Sequence, residues 1–174
     1  MGNKAQSKQR SSSTNSSDGS DSVDGPTEQQ PSYWQMAKQG YQELVNAIIR
    51  PPRCIYESKH LGPKVFEFCG KSFQRIDFEL TNPRGLKFVC SMWEPLPAFR
   101  QNPILPCIIY MHGNSSARLE SLAQLSLALS LGVVFLAFDF AGSGLSDGDY
   151  VSLGWFEKDD LKVSFKCISY SMHY

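Results

Sequence analysis

The chain has 174 residues, a formal net charge of zero and 20% charged residues, which suits one domain with tails and excludes a global basic field for nucleic acid. Its five cysteines, Cys54, Cys69, Cys90, Cys107 and Cys167, are odd in number, form no C-x-x-C pair and follow no secretory leader, so a reduced, cytoplasmic setting is expected, with Cys107 packed in the core. No apolar stretch approaches the ~20 residues that span a bilayer, which excludes a transmembrane helix.

Residues 1–32 hold nine serines, no aromatic residue and only Met1, Ala5 and Val23 as aliphatic material. So little apolar surface cannot offset chain entropy, and a disordered serine-rich tail is expected. Its start, MGNKAQSKQR, sets Gly2 after Met1 with Lys4, Lys8 and Arg10 nearby. An N-myristoyl signal wants Ser or Thr where Gln6 stands, so a solvated tail is the preferred reading, with at most weak peripheral contact with a membrane surface.

From Tyr33 to Ile49 the apolar positions Trp34, Ala37, Tyr41, Leu44, Val45 and Ile48 recur at three and four residues, the stripe of an amphipathic helix, which Pro51 and Pro52 end. Residues 33–53 are read as that helix and a proline linker. The stripe is expected to dock on the chain's own domain; Trp34, Lys38, Arg50 and Arg53 leave an interfacial helix as the alternative. Residues 54–174 are read as a partial α/β domain.

Arg75 to Leu80 alternates Ile76, Phe78 and Leu80 against Arg75, Asp77 and Glu79, the pattern of a half-buried strand. Asn82-Pro83-Arg84-Gly85 supplies a type I turn, and Leu86 to Trp93 returns as the second strand of an antiparallel hairpin. A proline-rich surface loop follows. Cys107 to Met111 (CIIYM) is a short continuous apolar run, as expected of a strand covered on both faces, and it leads into His112-Gly113-Asn114. Ser115 or Ser116 can cap a helix carrying Leu119, Leu122, Leu125 and Leu129, which Gly132 stops. Val133 to Phe140 is the next buried strand, and the order strand, helix, strand implies a parallel pair with a crossover. Glu157 to Ile168 forms a further helix, with Glu157, Asp159 and Asp160 near its positive end.

Within the loop after the last strand, Gly144-Leu145-Ser146-Asp147-Gly148 fits the G-x-S-x-G pattern of a serine-hydrolase nucleophile. An elbow needs the strand to run straight into the first glycine and a helix to begin directly after the serine. Here Ala141, Gly142 and Ser143 intervene, and Asp147-Gly148-Asp149 is loop composition, so Ser146 is read as a loop residue. A phosphate cradle of G-x-G-x-x-G type is discounted as well, because Asp147 replaces the last glycine and would face a pyrophosphate.

A β-hairpin, a buried strand ending in HGNSS, a helix, and a strand leading into DFAGSGLSDGDYVSLGW together resemble the first half of an α/β-hydrolase. Within that fold they are most similar to the serine aminopeptidase and monoacylglycerol-lipase-like hydrolases, over roughly Phe66 to Lys162. The resemblance implies an antiparallel hairpin leading into a parallel β-α-β sheet. It also implies a serine hydrolase that cleaves a small acyl ester or peptide through an acyl-enzyme, with no metal and no organic cofactor.

Such chemistry develops an oxyanion that needs preorganised donors, each worth on the order of 3 kcal/mol. The resemblance assigns one donor to the backbone NH of Asn114 and the other to the residue after the nucleophile. Gly113 would let the backbone pass close to substrate, and His112 would hold the loop rather than act as the base. Asp139, Gly142, Gly144 and Ser146 would shape the loop beside the pocket. Asp139 would not be the triad acid, since acid and base follow the nucleophile in this fold's chain order.

The family's elbow would come one strand after the helix starting near Glu157, and the sequence reaches Tyr174 without it. Nucleophile, acid and base are therefore expected to be absent, with His173 too near the end to serve, and the chain itself to be inactive. Val163-Ser164 can be encoded as GTA-AGT, so the last residues are expected to translate a retained intron or a gene-model error. Without an elbow strand CIIYM would be an apolar open edge, and the isolated chain marginal or insoluble without a partner strand. The rival expectation is a non-catalytic interaction protein that binds a partner through its exposed half-sheet and the helix at 33–49.

Overall fold

The structure is a computed structural model that describes residues 32–50 and 52–171. The expectations for Gly2, for the serine-rich stretch up to residue 31, for Pro51 and for His173 fall outside the described residues. Helix α1 spans Tyr33–Ile49, and the Ser32 amide donates to Gln35 Oε1 at 2.7 Å as one half of a capping box. Its stripe is not docked on the domain: no α1 residue is buried, and Trp34 stays 80% exposed. The bonds that tie α1 to the domain sit at its C-terminal end, where the Val151 amide donates to the Ile49 carbonyl at 2.9 Å. There too Arg50 Nη2 donates to the Tyr150 hydroxyl at 2.5 Å. Anchored at one end, the helix keeps its apolar face in solvent.

Five strands form one mixed sheet: β1 (Val65–Phe68), β2 (Lys71–Thr81), β3 (Lys87–Pro95), β4 (Cys107–Met111) and β5 (Val134–Phe138), in the order β1-β2-β3-β5-β4. Strands β1, β2, β3 and β5 pair antiparallel in succession, and β5 pairs parallel with β4. The crossover between β4 and β5 carries a 3-10 turn, Arg118–Ser121, and helix α2, Leu122–Ser130. Helix α3 runs from Glu157 to Ser171. The Asn82–Gly85 turn closes with the Gly85 amide on the Asn82 carbonyl at 2.9 Å, and Gly85 takes φ +79 where a side chain would be strained.

The sheet buries one face under α2 and the segment before β1, and the other under α3. Tyr56, Leu61, Phe73, Trp93, Phe135 and Ala137 fill the first core. Phe88, Cys90, Leu136, Phe138 and Ile168 fill the second, with Cys107 packed against it. Every residue of β5 is buried, as a strand between two neighbours should be. β4 is not covered on both faces but forms the apolar sheet edge also expected of CIIYM, with Ile108 41% and Met111 52% exposed. Alternation in β2 also misassigned two side chains, Ile76, which is exposed, and Arg75. Arg75 is buried, because Asp77 meets it at 3.1 Å and its Nη1 donates to the Gly62 carbonyl at 2.6 Å, so the charge is paired where it is desolvated.

Candidate functional site

Two loops leave the C-terminal ends of the parallel strands, and they are built differently. Asp139, fully buried just after β5, accepts hydrogen bonds from the Tyr56 hydroxyl at 2.6 Å, the Arg118 amide at 2.6 Å and the Leu145 amide at 2.8 Å. Burial, with the Asp139 carboxylate beside it, holds the Tyr56 hydroxyl protonated and well above the ordinary tyrosine range. Gly144 lies against that carboxylate: a Cβ there would stand 2.3 Å from Asp139 Oδ2, at φ +49. A Cβ on Gly142 would fall 2.4 Å from the Tyr150 carbonyl oxygen. Both glycines are therefore required twice over, by close approach and by a positive φ, +91 at Gly142 and +49 at Gly144.

Ser146 is 2% exposed. Its hydroxyl donates to the Asp139 carbonyl at 2.7 Å and accepts from the Val89 amide at 3.0 Å. A hydroxyl that bridges β3 to the end of β5 has no open approach for a substrate. The G-x-S-x-G serine is a strand fastener in a loop. Arg53 adds a further tie, donating to the Ser146 carbonyl at 2.9 Å and to the Gly148 carbonyl.

The loop after β4 carries fewer bonds. His112 Nε2 accepts the Phe140 amide at 3.1 Å, so the proton sits on Nδ1, which donates to the Gly113 carbonyl at 2.8 Å. Both ring nitrogens are thereby occupied in holding backbone. The Gly113 amide donates to Glu120 Oε2 at 3.0 Å, and the Tyr110 hydroxyl donates to Glu120 Oε1 at 3.0 Å. Hydrogen bonds from Ser116 and then from the Gly113 amide hold the Glu120 carboxyl below the usual carboxylate range. A Cβ on Gly113 would meet Glu120 Oε2 at 3.7 Å, an ordinary contact, so the chain's own atoms do not demand glycine there. Asn114 Oδ1 accepts from the Ser115 amide at 3.0 Å, and Ser115 sits at φ +60. The Asn114 amide donates to no group among the described residues.

His112, Gly113 and Asn114 line a cavity of about 190 Å³ with Phe140, Ser143, Val151, Leu153, Gly154 and Glu157. The opposite wall is fixed by Glu157, whose carboxylate accepts from the Ser152 amide at 2.7 Å, the Ser152 hydroxyl at 2.5 Å and the Gly154 amide at 2.8 Å. Burial acts to raise the Glu157 pKa, but these hydrogen bonds outweigh it and the group stays below the ordinary glutamate value. Leu153 on the same wall takes φ +53, strain that a non-glycine residue adopts only where its surroundings impose it.

The structure thus brings His112, Gly113 and Asn114 to one cavity and sets Asp139, Gly142, Gly144 and Ser146 in the scaffold behind it. Ser115 and Ser116 do not cap the following helix. Ala117 stands at the N-terminus of the 3-10 turn, and its first amide, that of Arg118, is satisfied by the buried Asp139 carboxylate. Asp160, read from sequence only as a favourable charge near a helix start, is buried and accepts from Asn82 Nδ2 at 2.7 Å and the Ala141 amide at 2.9 Å. Burial raises its pKa. Tyr56 and Glu120 escaped sequence reasoning, and the sequence marks Arg53 only as a charge beside the helix at 33–49, because each acts on a partner that no local spacing connects to it. Among the described residues no group of three or more His, Cys, Asp or Glu could hold a metal ion, and no helix is long and apolar enough to cross a membrane.

No family model and no curated protein matches the chain. Solved structures do. An esterase from Pyrococcus furiosus superposes with a TM-score of 0.53 at 25% identity, over 70% of this chain and 42% of the esterase. A hypothetical protein from Pseudomonas aeruginosa superposes with a TM-score of 0.51 at 21% identity, over 60% of this chain and 32% of that one. The chain has an α/β-hydrolase-like fold and spans less than half the length of these structures.

Proposed function

We propose that this chain carries the oxyanion-loop half of a serine-hydrolase site, of the serine aminopeptidase and monoacylglycerol-lipase-like kind, that handles a small acyl ester or peptide. The reading rests on one observation above the others: both His112 ring nitrogens are spent on backbone while the neighbouring Asn114 amide, in the lining of a cavity, has no partner among the described residues. A lone amide donor on a loop fixed by His112 and Glu120 is suited to a developing oxyanion, because it needs no reorganisation when charge appears. Phe140, Val151 and Leu153 give the cavity an apolar wall for an acyl or side-chain group. The nucleophile of the acyl-enzyme step is not Ser146, and the described chain acting alone is proposed to be inactive. The likeness to an esterase supports hydrolase chemistry.

Titration of the ¹⁵N-labelled chain with butylphosphonate, an anion shaped like the tetrahedral intermediate, tests the reading. The Asn114 amide is expected to shift while the Gly113 amide, occupied by Glu120, stays in place; silence throughout 112–116 sinks the assignment. A fluorophosphonate probe is expected to leave Ser146 unmodified, and an adduct there would overturn its structural role.

The open β4 edge favours a second reading, a non-catalytic interaction protein that pairs a partner strand against Ile108 and Met111. Under that reading the phosphonate leaves Asn114 unmoved, while a partner strand protects the β4 amides from exchange.

A further inference from the structure

Helix α1 presents an apolar face that the other described residues leave open: Tyr33 is 78%, Tyr41 68%, Leu44 61% and Ile48 52% exposed. At about 3.6 residues per turn these four fall with Trp34, Ala37 and Val45 into one stripe. The opposite side is made of Gln35, Gln39, Gln42, Glu43 and Asn46. This is a polar face and an apolar face on a helix of modest overall hydrophobicity, the combination that lies in a membrane interface instead of crossing it.

Charge chooses among the occupants of that face. Lys38 flanks the stripe, the one acid, Glu43, points away from it, and the first turn holds no acid, an arrangement complementary to an anionic surface. Tyr33 and Trp34 meet edge to face at 6.1 Å at the N-terminal end, and Tyr and Trp are the side chains whose rings suit the headgroup level. A seam with a second copy would want aliphatic side chains at every inward position, where α1 offers Trp34 and Tyr41. The C-terminal end of α1 is bonded to the loop that carries Leu153, 64% exposed, and Trp155, 69% exposed. There Lys158 Nζ lies 4.2 Å from the Trp155 ring centroid, a cation beside an exposed aromatic.

We propose that α1 lies in the plane of an anionic lipid surface with its stripe inward, and that its C-terminal anchor holds the Leu153–Trp155 loop and the Asn114 cavity at that surface. The inference stands independently of the acyl-site reading. It is tested on the full chain with vesicles of phosphatidylcholine plus phosphatidylserine, against phosphatidylcholine alone. Co-sedimentation is one readout. The other is Trp34 emission in a Trp155→Phe background, where Trp93, already fully buried, does not respond. The expected result is binding to the anionic vesicles with a blue shift. Leu44→Glu with Ile48→Glu lowers the partition at least about tenfold, and Lys38→Gln lowers it roughly fivefold on anionic vesicles alone. Leu44→Gln with Ile48→Gln, which keeps good helix formers, lowers it as well. Absence of binding, or binding indifferent to both double variants, overturns the proposal. So does a dimer in sedimentation velocity that the double variants dissolve while vesicles leave the chain in solution, since the stripe would then belong to a second copy.

Discussion

The loop after β5 and the loop after β4 start side by side from parallel strands, yet the first is fastened by buried groups and the second is left partly unspent. Asp139, Ser146 and Asp160 satisfy the amides and carbonyls of the 139–147 loop from inside the protein. The 112–116 loop is steered by His112 and Glu120 and keeps the Asn114 amide free among the described residues. The difference separates two kinds of polar residue that look alike in a sequence. Those in the first loop are paired and inaccessible, and removing one leaves desolvated partners; those in the second have capacity left for something that arrives from outside.

The largest test of that contrast is Asp139→Ala, which strips two buried donors and one half-buried donor of their acceptor and is expected to cost about 3–5 kcal/mol in urea unfolding; a loss below about 1 kcal/mol would break the comparison. Gly144→Ala forces a Cβ onto the Asp139 carboxylate in the left-handed region and is expected to cost about 2–4 kcal/mol. Ser146→Ala leaves the Val89 amide and the Asp139 carbonyl short of a partner, an expected loss of about 1–2 kcal/mol by the same measurement.

Acid titration sharpens the picture at the cavity wall. Glu157 has its pKa lowered on folding, so its contribution is fully present above the ordinary glutamate value of 4.5 and is lost as pH falls through the lower folded value. Asp160 is raised, so its contribution runs the other way and is lost as pH climbs from the ordinary value of 3.8 through the higher folded one. Glu157→Gln should therefore flatten the loss of stability below pH 4.5 and leave the Asp160 component visible. Gly113→Ala is expected to stay within about 0.5 kcal/mol of the parent, since its Cβ meets only Glu120 at normal distance. A large loss there would mean that the second loop is as tightly fastened as the first.

Most of the architecture was legible in local pattern. The α1 stripe, the Asn82–Gly85 turn, CIIYM and the apolar run from Val133 to Phe140 mark helix, hairpin and parallel pair, although the last strand ends two residues sooner, at Phe138. Strand β1 escaped, being four residues long and an edge strand whose one strand neighbour is β2. The antiparallel junction of β3 with β5 escaped because no spacing encodes which strands become neighbours. At the site, the intervening Ala141-Gly142-Ser143 was enough to set Ser146 apart from an elbow. What Ser146 does instead depends on Val89, and that pairing is tertiary. The docking expectation for α1 failed for a related reason: periodicity shows that a helix has an apolar face but not what that face meets.

The two guanidinium bonds from Arg53 carry a consequence for how the molecule is made. Arg53 and Ser146 are 93 positions apart, and Tyr56 and Asp139 are 83 apart. During synthesis at about 5–20 residues per second, both N-terminal side chains leave the ribosome several seconds before the groups they bind exist. Ordering of the 139–148 loop must therefore follow the hairpin and await the late arrival of its own sequence. A pause in translation near Asp139 would prolong the time that Arg53 and Tyr56 spend without their partners, and with it the exposure of the first core to chaperones.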